Sequence, residues 1–504
     1  MKKHPVLLAT AGLTLLSSLP LHAANSSSSL KFDPLHFTPQ TIIYNNQSVK
    51  VRAYEGLSYA SNPVSPKEQV MNIYIPEAYF NDKELGSFNA NTAPIFFPNK
   101  VGGYMPSTPA STSQSSGPGG NEAVLAALSH GYIVASPGTR GRTSVSDSGD
   151  YVGKAPAVIV DLKAAVRYLR FNDAVMPGDA EKIVSNGTSA GGAVSALLAA
   201  SGNSPDYQEA LAKIGAADTR DNIFAASTFC PITNLEHADM AYEWQFNGVH
   251  DYKTMNIRML DYHVERSFTE GTLTTAEVKV SNQLKSAFPA YVNQLNLRNT
   301  EGDPLTLNPD GSGSFKAHIE SLVIASAQNA LNQGQSLEEF GWLTVQQDKV
   351  TGIDFDAYLN YMTRLKRPPA FDALDLSSGE NQLFGTSAID KRHFTSFSAT
   401  HSQIEGSSLA DTTTIAMMNA MNYVNDPTAT QAQFWRIRHG TNDKDTSLAI
   451  PALLALALEQ QGITPDFELS WNRSHSGDYN LASLFSWIDH ISTQNQPQLG
   501  PPLM

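Results

Sequence analysis

Val184-Ser185-Asn186-Gly187-Thr188-Ser189-Ala190-Gly191-Gly192 is the stretch on which the fold of this chain turns. Val184 and Ser185 close an apolar run, the glycines mark a turn, and Ala193 to Ala200 reads as a helix. Gly187, Ser189 and Gly191 fit G-x-S-x-G, and the spacing has a mechanical reason. A nucleophile on a strand-to-helix elbow occupies a strained turn, where side chains at the two flanking positions would collide with neighbouring backbone. Glycine removes the collision and leaves the serine oxygen standing above the sheet. The following helix aims its N-terminus at the site, which favours developing negative charge. The five-residue pattern alone is common, and a glycine turn before a helix is its plain alternative. The strand before it and the helix after it favour the elbow.

The surroundings bound the setting. The chain has 504 residues, enough for a large core and more than one domain. With 41% hydrophobic and 16% charged residues it has a globular composition, and a formal charge of −14 argues against nucleic acid or an anionic membrane as partner. Lys2, Lys3 and His4 precede an apolar run from Val6 to Leu21, followed by His22-Ala23-Ala24. That is the pattern of a signal peptide, residues 1–24, cleaved near Ala23 or Ala24. Its loss, with Lys2 and Lys3, takes the formal charge from −14 to −16. The run is short and broken by Pro20, against a permanent anchor, and no cysteine follows it for lipidation. The expectation is an exported protein, periplasmic or extracellular. The single Cys230 excludes an intramolecular disulfide, and its apolar run suggests a buried, inert thiol.

Outward from the elbow, strands are expected over Thr41 to Tyr59 and Gln69 to Ile75, as an antiparallel start to a sheet, then at Pro94 to Phe97. Pro106 to Asn121 is Ser/Thr/Pro/Gly-rich and reads as a flexible loop. Asn121 to His130 and Ala155 to Phe171 carry helical spacing, Tyr132 to Ser136 and Asn222 to Cys230 strand character. From Leu235 to Pro427 the alternation stops, with helix-like segments, two tryptophans and few strand runs. It resumes with Phe434 to Arg438, Thr446 to Gln460, Asp466 to Trp471 and Leu481 to Ile491. The expected fold class is α/β: an α/β-hydrolase domain over residues 30–234 and 428–504, with a large, mainly helical lid, residues 235–427, inserted after the sixth strand. Asn308-Pro309-Asp310-Gly311-Ser312-Gly313 is similar to a calcium loop, but the spacing after it fails the EF-hand template, so a turn is expected.

In that fold the order of groups is serine, acid, histidine, the last two on loops after late strands. Asp161 precedes the serine and lies on a helix, so a solvated or paired charge is its expected role. After the strand Phe434 to Arg438 comes His439-Gly440-Thr441-Asn442-Asp443-Lys444-Asp445. Only His475 and His490 follow. His490 falls inside a helical run, whereas His475 sits in a loop just past the strand Phe467 to Trp471. His475 is therefore the candidate base. Asp443, nearer its strand end, is the candidate acid, with Asp445 the competitor. Candidate oxyanion-hole donors are the backbone N–H groups of Ala190 and of Gly103, the latter in the glycine loop after the third strand.

Together the segments Gly187 to Gly192, Gly440 to Ser447 and His475 to Asn480 resemble the bacterial tannases, the tannin acyl hydrolases of the α/β-hydrolase superfamily. The resemblance extends to Gly102-Gly103-Tyr104 and to Lys366 to Glu380, over nearly the whole mature chain. It does not extend to the fungal enzymes, whose Cys-Ser-Asp…His-Cys pattern needs a disulfide that one cysteine cannot make. It implies hydrolysis of galloyl esters with release of gallic acid, and Ser189, Asp443 and His475 as the triad. It also implies contacts from Lys366, Glu380 and Asp445 to the three ring hydroxyls. The chemistry agrees: phenols donate to carboxylates and accept from an ammonium. A site that pairs substrate hydroxyls rejects analogues lacking them by roughly 10⁴–10⁵. Without the resemblance, Lys366 is a basic surface turn residue and Glu380 a solvated loop acid. Tyr242, Glu243 and Trp244 are expected to pack within the lid rather than wall the pocket. Neither metal nor cofactor is called for.

Two other readings follow from the same residues. A feruloyl esterase or general carboxylesterase would keep the triad without requiring Lys366, Glu380 and Asp445. A hydrolase-like binding protein without chemistry would not be expected to retain serine, acid and histidine in order.

Overall fold

The computed structural model describes residues 29–113, 120–260 and 263–494. The expected signal peptide lies outside the described residues, as do 114–119, the centre of the expected flexible loop. Nine strands form one sheet in the order β1-β2-β3-β5-β4-β6-β7-β12-β13. They are β1 (Thr38–Tyr44), β2 (Gln47–Ser58), β3 (Val70–Pro76), β4 (Pro94–Pro98), β5 (Ile133–Pro137), β6 (Asp179–Thr188), β7 (Ala225–Phe229), β12 (Phe434–Gly440) and β13 (Asp466–Ser470). The remaining strands, β8 (Asp251–Leu260) with β9 (His263–Thr272) and β10 (Leu343–Gln346) with β11 (Lys349–Ile353), form two separate hairpins. Among the described residues, no strand between β7 and β12 joins the main sheet.

The join from β3 to β5 is antiparallel, and every pairing from β5 to β13 is parallel. The parallel strands are buried on both faces and read as apolar runs: Pro94–Pro98 and Ala225–Phe229 are buried throughout. Helix Ala157–Phe171 packs on helix Ala190–Ala200, and helix Glu122–Ser129 on helix Leu481–Gln494. Parallel pairing brings the C-terminal ends of β4, β6, β7, β12 and β13 to one edge, where open α/β sheets bind their ligands.

Three expectations change in detail. The run Thr41 to Tyr59 is a hairpin, not one strand: Asn45 and Asn46 both take positive φ, 47° and 64°, and turn the chain between β1 and β2. Asparagine tolerates that region, but the pair is a weaker signal than Asn-Gly. The insertion therefore follows the seventh strand of the sheet. It is also less helical than expected, because β8 and β9 make a ten-residue ribbon. Met255-Asn256-Ile257-Arg258-Met259 alternates apolar and polar residues, a short strand signal inside a region that otherwise reads as helix-like, and residues 267–270 of the second strand are all exposed. Finally, the start of the Pro106 to Asn121 loop is strapped down. Ser107 and Thr139 exchange two backbone bonds of 3.0 Å, and the Ala110 N–H donates to Ser136 Oγ at 2.9 Å.

Asp161 is a paired and fully buried charge. Arg140 donates to it from Nη2 at 2.7 Å and from the backbone at 2.8 Å, and Gln69 Nε2 donates at 2.8 Å. Asn308 to Gly313 is a turn, closed by the Gly311 N–H on Asn308 O at 2.8 Å. His490 is exposed on its helix.

Candidate active site

Ser189 follows β6 with φ 61° and ψ −124°, the strained conformation expected of an elbow. Holding a non-glycine residue there costs of order 1–3 kcal/mol, offset by its surroundings. The Ser189 N–H donates to Phe229 O at 2.9 Å, tying the turn to β7. A Cβ at Gly191 would lie 2.6 Å from Asn99 Oδ1 and 2.7 Å from Val101 O, and one at Gly187 would strike the Gly191 backbone. The flanking glycines are thus required by close approach. Ala190 opens the following helix and is buried, and the first N–H groups of a helix have no partner within it.

Asn99, which the sequence does not single out, fastens the β4 loop to this elbow. Its Nδ2 donates to Ser195 Oγ at 2.9 Å and to Gly191 O at 3.2 Å, and its Oδ1 accepts from the Val101 N–H at 3.2 Å. Gly103 follows with φ 53°, its carbonyl accepting from Arg142 Nε at 2.9 Å.

The acid loop leaves β12 and the base loop leaves β13, and the parallel register sets them side by side. Thr441 N–H donates to Ser470 O at 3.0 Å, and Asn472 N–H donates to Thr441 Oγ1 at 2.7 Å. His475 Nδ1 lies 2.8 Å from Asp443 Oδ2, while Asp443 Oδ1 accepts the Asp445 N–H at 2.8 Å. Asp443 is fully buried. The base loop presses onto the elbow: a Cβ at Gly477 would run into Thr188, and Asn186 Nδ2 donates to Asp478 Oδ1 at 2.8 Å. Burial alone would raise the Asp443 carboxyl, yet His475 beside it holds it well below the usual carboxylate range. Burial alone would lower the His475 imidazolium, yet Asp443, then Asp445, raise it well above its ordinary value.

Asp445 turns the other way. Its Oδ1 is 3.2 Å from Lys366 Nζ, and its Oδ2 is 3.9 Å from His475 Nε2. Lys366 Nζ sits 3.9 Å above the Phe371 ring. Glu380 lies in the short helix Gly379–Leu383, capped by a Ser378/Asn381 box. Burial raises the Glu380 carboxyl, opposed chiefly by the Lys366 charge, and Asp445 also acts on it. Asp445 therefore stands between Lys366 and His475, and Glu380 lies within electrostatic reach of Lys366 and Asp445.

A buried frame holds them there. Tyr242 OH donates to Lys444 O at 2.9 Å and accepts the N–H groups of Leu365 and Lys366 at 3.1 and 3.0 Å, joining the acid loop to the Lys366 segment. Asp239 accepts from the Phe371 and Asp372 N–H groups at 2.6 and 3.1 Å, and burial, with Asp372 adding, pushes its carboxyl up to about 8. Asp372 in turn accepts from Asn381 Nδ2 at 2.7 Å, next to Glu380. Glu243 pairs with Arg364, and Trp244 packs on Phe288 and Phe315, so both serve the insertion as expected. Tyr242 packs there too, but its hydroxyl is the joint. A tyrosine in a helix carries no sequence signal for that.

Cys230 is buried, but polar groups and not an apolar run surround its sulfur. Sγ donates to Ser476 O at 3.0 Å beside His475, and burial, with the Asp443 charge, pushes the thiol up to about 11. His439 is fully buried with neither ring nitrogen hydrogen-bonded, its Nδ1 3.8 Å from Asp443 Oδ2. Among the described residues, Cys230, His439 and Asp443 have donor atoms close enough together to hold a cation. Asp443 is already engaged by His475.

Comparison with known proteins follows the same lines. Residues 110–278 match the family described as BD-FAE. No curated protein matches the chain. Among solved structures, the chain is similar to the Fusobacterium nucleatum tannase, at 50% identity and a TM-score of 0.88, over 92% of this chain and 99% of that one. It is similar to the tannase from Lactobacillus plantarum at 43% identity and a TM-score of 0.89, over 92% and 99%. A tannin acyl hydrolase in complex with ethyl gallate matches at 44% identity and a TM-score of 0.87, over the same shares.

Proposed function

This chain belongs to the bacterial tannases, and from that premise we propose that Ser189, Asp443 and His475 carry out its hydrolysis of galloyl esters. Residues 30–234 and 428–504 form the catalytic domain in this reading, with 235–427 as the lid. Ser189 Oγ attacks the galloyl carbonyl as His475 takes its proton, and the N–H groups of Ala190 and Gly103 receive the oxyanion. Asp443 holds His475 in the tautomer with Nδ1 protonated. The alcohol leaves with the proton from His475. Water then attacks the acyl-enzyme by the same route in reverse, releasing gallic acid and free Ser189.

The observation that carries the substrate reading is the place of Asp445 between Lys366 and His475, with Glu380 within electrostatic reach of Lys366 and Asp445. An ester lacking ring hydroxyls would leave the free donor and acceptor sites of these charged groups without hydrogen-bond partners in a partly buried site. A relative bound to ethyl gallate supports the same substrate class. Methyl gallate, methyl 4-hydroxybenzoate and methyl ferulate, with Ser189→Ala as control, test it. Turnover of the gallate alone is expected. Equal cleavage of the ferulate would keep the triad and refute the roles given to Lys366, Glu380 and Asp445.

We read residues 1–24 as an export signal, so the enzyme acts in the periplasm or the medium, on small galloyl esters or tannins. Cell fractionation and N-terminal sequencing of the mature protein test this; a cytoplasmic protein that keeps Lys2 and Lys3 refutes it.

A further inference from the structure

We propose that Arg142 is a positioning residue that locks the oxyanion loop to the helix carrying Glu380, so that recognition of the galloyl ring and stabilisation of the oxyanion depend on one guanidinium. The inference rests on the tannase reading above and concerns a residue outside the triad and the galloyl contacts.

Arg142 reaches both halves of the site at once. Its Nε donates to Gly103 O at 2.9 Å, and its own N–H donates to Tyr104 O at 2.8 Å. The Gly103–Tyr104 turn is thus fixed from its carbonyl side, with both residues at positive φ, 53° and 56°. The Gly103 N–H shares its peptide plane with the Gly102 carbonyl, which accepts the Met105 N–H at 3.0 Å, so the donor is held on one side by that turn bond and on the other by the Arg142 anchor on the Gly103 carbonyl. On the other side Nη1 donates to Gln382 Oε1, within the helix Gly379–Leu383. A Cβ at Gly379 would lie 3.0 Å from the guanidinium carbon, so the helix start lies directly against it. Glu380 is the next residue, and the Arg142 charge acts on its carboxyl.

The junction is braced from behind. Gln382 Nε2 donates to Asp390 Oδ1 at 3.0 Å. Lys154 Nζ donates to Asp390 Oδ1 at 2.8 Å and to the Arg142 carbonyl at 2.9 Å. Lys154 is buried. Arg142 and Lys154 come from the stretch between β5 and β6, whereas Gln382 and Asp390 belong to the insertion. The oxyanion loop and the ring-binding helix therefore meet through a closed polar network whose central group is the Arg142 fork. A lysine at 142 has no planar fork with which to serve Gly103 and Gln382 together.

The test is a double-mutant cycle on methyl gallate with Arg142→Gln and Glu380→Gln. Methyl 3,4-dihydroxybenzoate is the second substrate, and rates are normalised to Ser189 titrated with an organophosphonate. Arg142→Gln is expected to lower kcat per titrated site about tenfold on both esters and to weaken the preference for the gallate. Its effect on that preference should largely vanish in the Glu380→Gln background. Arg142→Lys should recover part of kcat. Gly379→Ala, which shifts the guanidinium without removing it, should move both readouts in the direction of Arg142→Gln. An unchanged kcat per titrated site, or the same loss of preference in both backgrounds, would overturn the proposal. Failure of the wild-type enzyme on methyl gallate would instead remove the tannase reading itself.

Discussion

Lys366 Nζ and Asp445 Oδ1 lie 3.2 Å apart, one from the insertion and one from the loop after β12, each side chain about one-fifth exposed at 20% and 18%. On the roles proposed above, the pair joins ring recognition to the chemistry at His475. Lys366→Met removes the only positive partner in that pair and leaves Asp445 and Glu380 repelling each other. Charged hydrogen bonds contribute roughly 1.5–3 kcal/mol each, so kcat/KM on methyl gallate should fall about tenfold or more. Esters without ring hydroxyls should be far less affected. Steady-state kinetics on both ester types check it.

The pH dependence follows from the carboxylates around His475. Asp443 and Asp445 raise its imidazolium well above the ordinary value, against the opposing effect of burial. The base must be neutral, so kcat/KM should rise with pH through that raised value. Asp445→Asn removes one of the two charges and should move the rising limb to lower pH while weakening gallate binding. The linked stability has a definite sign. The raised His475 contributes stability in full below the unfolded histidine value and loses it as pH climbs through the folded one. The depressed Asp443 contributes above the ordinary aspartate value and loses it as pH falls through its lowered one. A profile of kcat/KM against pH for both forms, with parallel denaturant melts, tests these directions.

Asp443→Asn keeps the shape of the buried acid but cancels its charge and favours the wrong tautomer of His475. In triads of this type such a change costs on the order of 10⁴ in kcat. KM for methyl gallate should change little, because Asp443 is fully buried and faces His475 instead of the ring. Separate determination of kcat and KM decides this.

Tyr242→Phe deletes the hydroxyl on which the Leu365 and Lys366 N–H groups depend. Each donor left unpaired in the interior costs about 1–3 kcal/mol. Thermal unfolding should show that loss, and KM for methyl gallate should rise as the Lys366 segment loosens.

Gly191→Ala would bring a methyl group against Asn99 and the Val101 carbonyl. Overpacking of this kind costs about 1–3 kcal/mol. Because Asn99 fastens the oxyanion loop to the elbow, activity should fall further than stability. Urea midpoints compared with kcat check the difference.

The elbow at Ser189 and the pairing of Asp443 with His475 were legible in the sequence because order prunes hard: one elbow serine, one acidic loop after a late strand and two histidines beyond it. Strand and helix spans in the sheet domain were legible because parallel strands are continuous apolar runs. The insertion was less so, since only β8 of its long hairpin carries a period-two run, Met255 to Met259, and β9 mixes polar and apolar residues without a period. Lys366 and Glu380 were visible only through family resemblance, for a lysine before two prolines and a glutamate after a glycine look like surface. Asn99, Arg142 and the hydroxyl of Tyr242 were invisible, because their contacts join segments far apart in the chain.

Asp443 and Asp445 stand two positions apart, yet one carboxylate serves His475 and the other faces Lys366. Selectivity here cannot drift freely from turnover. Lys366 and Glu380 belong to the segment between β7 and β12, whereas Asp445, the third group of the proposed recognition set, shares its loop with the acid that pairs with His475. A one-residue insertion or deletion between the two aspartates would exchange or misalign their duties. If the proposed roles hold, the length of that loop ties the choice of ester to the rate of its hydrolysis.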